Sequence, residues 1–164
     1  MRILAIDPGT TESAWVVWDE RTGLREFYLK PNGVVLAALD RLGDTTNPQN
    51  PTVLVIESIE SYGMSVGKST FATCYWIGRF WERWAWRHAD DSVILLPRLQ
   101  IKMAICHNSR AKDPNIRQAL IDRLGPVGTK DNCGPLYGVK KHMWSALAAA
   151  VAYCDGARPP EVNR

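Results

Sequence analysis

The chain has 164 residues, 46% of them hydrophobic, enough for one domain with a substantial core and with no call for a second. Its formal net charge is +3, from 20 lysines and arginines against 17 acids, so affinity for phosphate must come from local clusters and not from the field of the whole molecule. No apolar stretch is long enough to span a membrane, no internal repeat is present, and the four cysteines, Cys74, Cys106, Cys133 and Cys154, lack the paired short spacing of a zinc site.

Ile3 to Ile6 is the short apolar run of a buried strand, near 2 to 7, which Pro8-Gly9 terminates with Asp7 at its end. Thr10, Thr11 and the loop amides can contact an anion, although an aspartate before Pro-Gly is also an ordinary turn residue. Extended segments near 13 to 19 and 24 to 30 follow, the first suggesting a hairpin, and a helix is expected near 33 to 43. Thr45 to Pro51 is polar and reads as a connection.

Val53 to Ile56 repeats the first pattern: a β-branched apolar run, near 52 to 57, ending in Glu57. Two central strands ending in acids place both carboxylates at one sheet edge, where hard oxygen ligands can hold magnesium ions against a phosphodiester. Neither strand carries a lysine or arginine after Arg2 that would neutralise the pair, and two close, unpaired acids repel, so a cation is the natural solution.

The segment 61 to 67 is glycine-containing and carries the apolar side chains of Tyr62 and Met64. A helix near 68 to 88 follows, with Cys74, Ile77, Trp81 and Trp84 as the stripe facing the sheet and Trp76, Phe80 and Arg83 facing elsewhere. Its aromatic content exceeds what one buried stripe requires, which points to a partner. A strand near 92 to 96 and a helix near 98 to 106 bring in Arg98 and Lys102. Arg110, Lys112 and Arg117 surround a polar turn before a helix near 114 to 124, with Pro114 in its first turn, Asp113 as its N-cap and Gly125 as its stop. Solvated surface charge is the commoner fate of any one of these cations. Residues 125 to 138 show no period of their own.

The last element, an alanine-rich helix near 141 to 154, must pack closely against something. Its face bearing His142, Ser145, Ala146 and Ala149 would let the first turn approach a sheet end and present an imidazole there, although a histidine at a helix start also serves as a capping residue. The architecture expected is α/β: a five-stranded mixed sheet flanked by helices.

Ile-Asp7-Pro-Gly-Thr-Thr, the strand ending in Glu57 and the helix His142-Met-Trp-Ser-Ala-Leu-Ala together resemble the RuvC-type Holliday junction resolvases, especially their phage-encoded branch. Ser61 to Gly67, Trp76 to Phe80, Arg110 to Gly125 and Gly134 to Gly138 carry the resemblance along the chain, as one domain over 1 to 155 with a tail over 156 to 164. The resemblance implies an RNase H-like fold and a metal-dependent endonuclease that cuts four-way or related branched DNA by paired symmetric nicks, leaving 5′-phosphate and 3′-hydroxyl ends. It implies Asp7, Glu57 and His142 as the catalytic and metal-binding set, with magnesium, or alternatively manganese, as two ions per site. His142 would either ligate or carry a proton.

The further aspartate of that family falls at Ser145, which supplies no carboxylate, leaving Asp113, Glu60 or Asp131 as candidates for an additional acid. Lys112, Arg110, Lys102, Arg98 and Lys141 are candidates for DNA contact, with Tyr62 as an aromatic at the crossover. A homodimer through the aromatic helix is implied, with no membrane, no nucleotide cofactor and a reduced cytoplasmic setting. Two other readings are a branched-DNA binding protein with a degraded centre and an RNase H-like nuclease acting on RNA. Asp-x-Gly-Thr-Thr also resembles the phosphate loop of sugar kinases, but those need two related domains, for which this chain has no room.

Overall fold

A computed structural model of the chain describes residues 1–43, 51–61, 63, 65–88 and 92–160. The first three strands, β1 (Arg2–Asp7), β2 (Glu12–Asp19) and β3 (Gly23–Pro31), form an antiparallel meander. Helix α1 (Asn32–Gly43) then leads to β4 (Thr52–Ser58), α2 (Lys68–Ala85), β5 (Val93–Pro97), α3 (Arg98–Cys106), α4 (Asp113–Leu124) and α5 (Met143–Cys154). The sheet order is β3-β2-β1-β4-β5, with β4 parallel to both β1 and β5. The expected five-stranded mixed sheet flanked by helices is the one observed.

Alternation along the strands divides the core. Ile3 and Ala5 of β1, Ala14, Val16 and Trp18 of β2 and Val55 of β4 pack under α5, backed by residues of α3 and α4. Leu4, Ile6, Trp15, Val17, Leu54 and Ile56 face the other way, onto α1 and α2. Asp7 and Glu57 have the parity of Ile3, Ala5 and Val55, so both acids emerge on the α5 face.

Helix α5 is buried on all sides, and every residue from Ala146 to Ala152 has 0% exposure. Small side chains are required because the helix lies on β1, β2 and β4 while α3 and α4 press on it from behind. Ala149→Leu therefore overpacks this layer and is expected to cost about 1–3 kcal/mol, measurable by urea denaturation.

Three expectations are corrected. The buried stripe of α2 is Thr73, Ile77, Phe80 and Trp84, whereas Cys74 and Trp81 are exposed. Both stripes satisfy helical spacing, and burial of the Phe80 ring against the sheet decides between them. The helix also ends at Ala85, leaving Trp86 in a turn at 86% exposure. Asp113 is the first residue of α4 and not its N-cap: Lys112 holds that position, its backbone N–H donating to Asn115 Oδ1 at 2.9 Å. Pro114 in the first turn and Gly125 at the C-cap are as expected.

The segment 125–138 folds back on itself, with a β-bridge between Gly128 and Cys133. A side chain on Gly134 would meet the carbonyl oxygen of Pro126 at 1.9 Å, so this close approach requires glycine.

Candidate active site at the ends of β1 and β4

In the parallel register of β1 and β4, Ile6 pairs with Ile56, so the next residues of the two strands, Asp7 and Glu57, are neighbours. Their side chains are only 14% and 13% exposed. Burial, and then the charge of Asp7, push the Glu57 carboxyl up to about 7, which the Arg98 guanidinium only partly offsets. Burial likewise holds Asp7 above the ordinary carboxylate range, against the opposing pull of His142 and Arg98. Perturbed acids paired in this way mark a candidate functional centre.

His142, immediately before α5, places Nδ1 3.0 Å from Asp7 Oδ2, while its side chain remains 67% exposed. In the neutral tautomer whose Nδ1–H donates to Asp7, Nε2 is the acceptor nitrogen. Ser145, one turn on, accepts a hydrogen bond from Arg98 Nη1 at 3.2 Å.

The turn that carries Asp7 is tied from beneath. Gly9 N–H donates to Ser13 Oγ at 3.1 Å, Ser13 donates to Asn32 Oδ1 at 2.6 Å, and Asn32 Nδ2 donates to the Gly9 carbonyl at 3.0 Å. Ser13 and Asn32 are each 1% exposed. Gly9 is needed there because a Cβ would lie 2.3 Å from the Glu12 carbonyl oxygen. The sequence reading missed Ser13 and Asn32, since Pro31-Asn32-Gly33 carries only the signal of a turn. Asn32→Ala strands buried partners and is expected to cost about 1–3 kcal/mol in thermal or urea unfolding.

Arg98, grouped by sequence with the phosphate-contacting cations, is turned inward. Its Nη1 lies 3.0 Å from each carboxylate oxygen of Glu57, and its Nη2 donates to Asp113 Oδ1. The acid pair that no residue of its own strands neutralises is thus met by a cation from α3. Asp113, 79% exposed, reaches the centre through Arg98. Glu60 lies exposed beyond β4, and Asp131 lies in an exposed turn of the 125–138 segment.

A cleft of about 730 Å³ opens beside the centre, lined among others by Arg98, Asp113, Arg117, Lys140, Lys141, His142 and Ser145. Arg117 sits over the Trp144 ring at 5.1 Å. Lys140 was missed, although it stands in the same Lys-Lys-His run as Lys141. Lys102 is half-buried on α3, and Arg110 and Lys112 are exposed before α4, none of them on the cleft wall. Tyr62 and Met64 fall outside the described residues.

Among the described residues, no three His, Cys, Asp or Glu side chains converge as a ready ligand set. The donors nevertheless fit magnesium or manganese, because such ions are commonly held by one or two carboxylates, with waters and substrate phosphate completing the shell. Asp7 and Glu57 supply those carboxylates, and their unfavourable proximity supplies the drive.

No protein-family model and no curated protein matches the chain. Among solved structures it is similar to RuvC of Thermus thermophilus, at 16% identity over 94% of each chain and a TM-score of 0.62. It is also similar to T. thermophilus RuvC in complex with a Holliday junction substrate, at 19% identity over 96% of this chain and 95% of that one, with a TM-score of 0.63. The chain therefore has the RuvC-type, RNase H-like fold.

Proposed function

We propose that the protein is a structure-selective, metal-dependent endonuclease that resolves Holliday junctions or related branched DNA. The observation that carries this reading is the pairing of Asp7 and Glu57 at the ends of β1 and β4, with His142 held by Asp7, beside a cleft walled by Arg117, Lys140 and Lys141. The fold adds support, since a similar structure is that of a RuvC in complex with a Holliday junction substrate.

Asp7 and Glu57 would hold the ion, and a divalent cation bound there supplies Lewis-acid activation of water and charge stabilisation for the leaving 3′ oxygen. Asp7 also orients the exposed His142 ring, whose Nε2, in the tautomer that donates Nδ1–H to Asp7, would accept the proton of the attacking water. With Nδ1 engaged by Asp7, Nε2 is the nitrogen left for either proton transfer or ligation. The lysines and arginines of the cleft wall position the phosphate backbone without reading sequence.

Cutting two strands symmetrically needs two centres, and we assign the second to a two-fold partner. Phe71 and Tyr75, 65% and 63% exposed, share one face of α2 with Gly78. Together with Trp81, and with Trp86 in the turn beyond the helix, they form the apolar surface for a second copy. Phe71→Glu with Tyr75→Glu should convert a dimer to a monomer in light scattering while leaving the fold intact.

Competition binding in EDTA tests the substrate class. A labelled four-way junction should bind at least about tenfold more tightly than linear duplex of the same sequence, a preference of about 1.4 kcal/mol. Equal affinity for both would overturn the junction reading.

A further inference from the structure

Arg98 is the first residue of α3, directly after β5, and the pairing of Ser58 with Pro97 sets it beside the end of β4. The side chain is 26% exposed and lies between Glu57 and Asp113, with Ser145 completing its contacts. Its charge is fixed at any pH of interest, and burial, which opposes that charge, is outweighed by Glu57, Asp113 and Asp7. Three carboxylates, Asp7, Glu57 and Asp113, thus surround one guanidinium, leaving a formal charge of minus two that a single divalent ion balances.

Each carboxylate oxygen offers two lone-pair directions. Arg98 takes one on each oxygen of Glu57, so the acid can keep its guanidinium and still meet an ion shared with Asp7. Nη1 fills the space between Glu57 and Ser145, so a second divalent ion could share Glu57 there only by displacing the guanidinium.

We propose that Arg98 is a built-in second cation: its guanidinium stands where a second divalent ion would sit, so each protomer binds one ion, on the Asp7 side. This rests on the metal-dependent reading of the centre. It gives Ser145 a reason as well, since a neutral hydroxyl that accepts from Arg98 suits a site whose second positive charge is covalently attached.

The test counts manganese bound to the full-length protein by loss of the free Mn²⁺ paramagnetic resonance signal, without DNA, for the natural chain, Arg98→Gln and Arg98→Lys. Circular dichroism confirms folding of each. The expected result is one ion per protomer for the natural chain and Arg98→Lys, and two for Arg98→Gln. Two ions in the natural chain, or one in all three proteins, would overturn the role of Arg98 while leaving a metal centre in place. No manganese bound by any of the three would overturn the metal reading itself and this inference with it.

Discussion

Asp7→Asn and Glu57→Gln are each expected to lower junction cleavage by about 10³-fold or more, because each removes a carboxylate from a two-carboxylate ion site. Charge stabilisation by such an ion is worth several kcal/mol, and each 1.4 kcal/mol is a factor of ten in rate. The two variants should differ in what else they lose. Asp7→Asn also removes the carboxylate that orients the His142 ring at 3.0 Å, so it loses the positioning of that ring as well as an ion ligand. Glu57→Gln leaves His142 in place and instead deprives Arg98 of its principal partner. Junction binding in EDTA should be retained or strengthened in both, since each change removes negative charge beside a phosphate site. Cleavage within threefold of the natural chain for either variant would contradict the assigned centre.

The metal-free protein is expected to lose stability as pH rises from about 4.5 to 7. Glu57 has a folded-state pKa of about 7 against an ordinary 4.5, so across that window the folded chain keeps a proton that the unfolded chain has released. Stability falls wherever the folded state binds more protons, and two and a half pH units at about 1.4 kcal/mol each give a ceiling of roughly 3.5 kcal/mol. Asp7, also raised, acts in the same sense. Asp40, lowered by its hydrogen bond from Arg83, acts in the opposite sense but only as pH falls below its ordinary 3.8. Thermal unfolding in EDTA from pH 4.5 to 7.5 reads the slope directly. Glu57→Gln should flatten it, with Asp7 leaving a residual slope, and manganese should reverse it at neutral pH by binding the deprotonated pair. A melting temperature that is flat or rising over the window in EDTA would contradict the burial of this acid pair.

The strand ends were legible because local chemistry marks them: Pro8-Gly9 stops β1 just after Asp7, and the β-branched run before Glu57 identifies β4. Helix α5 was legible through its alanines, which favour a helix and suit close packing on both sides. Arg98 was not legible, because its contact with Glu57 spans 41 residues and depends on the register of β4 with β5, which no local pattern encodes. Asn32 was hidden in the same way: its buried amide ties a turn 23 residues earlier, while its neighbours proline and glycine announce only a loop. The facing of α2 failed for a different reason, since two aromatic stripes one residue apart satisfy the same period and only contact with the sheet distinguishes them.

The most direct test of the central claim is nicking of an end-labelled immobile four-way junction by the natural chain, in magnesium and then manganese, beside linear duplex of the same sequence. The expected result is paired symmetric nicks in two opposed strands, with 5′-phosphate ends, and an uncut duplex. Tight junction binding without cleavage in either metal would contradict it, and would point to Ser145, standing where an acid is absent, as the residue that left a binding protein in place of a nuclease.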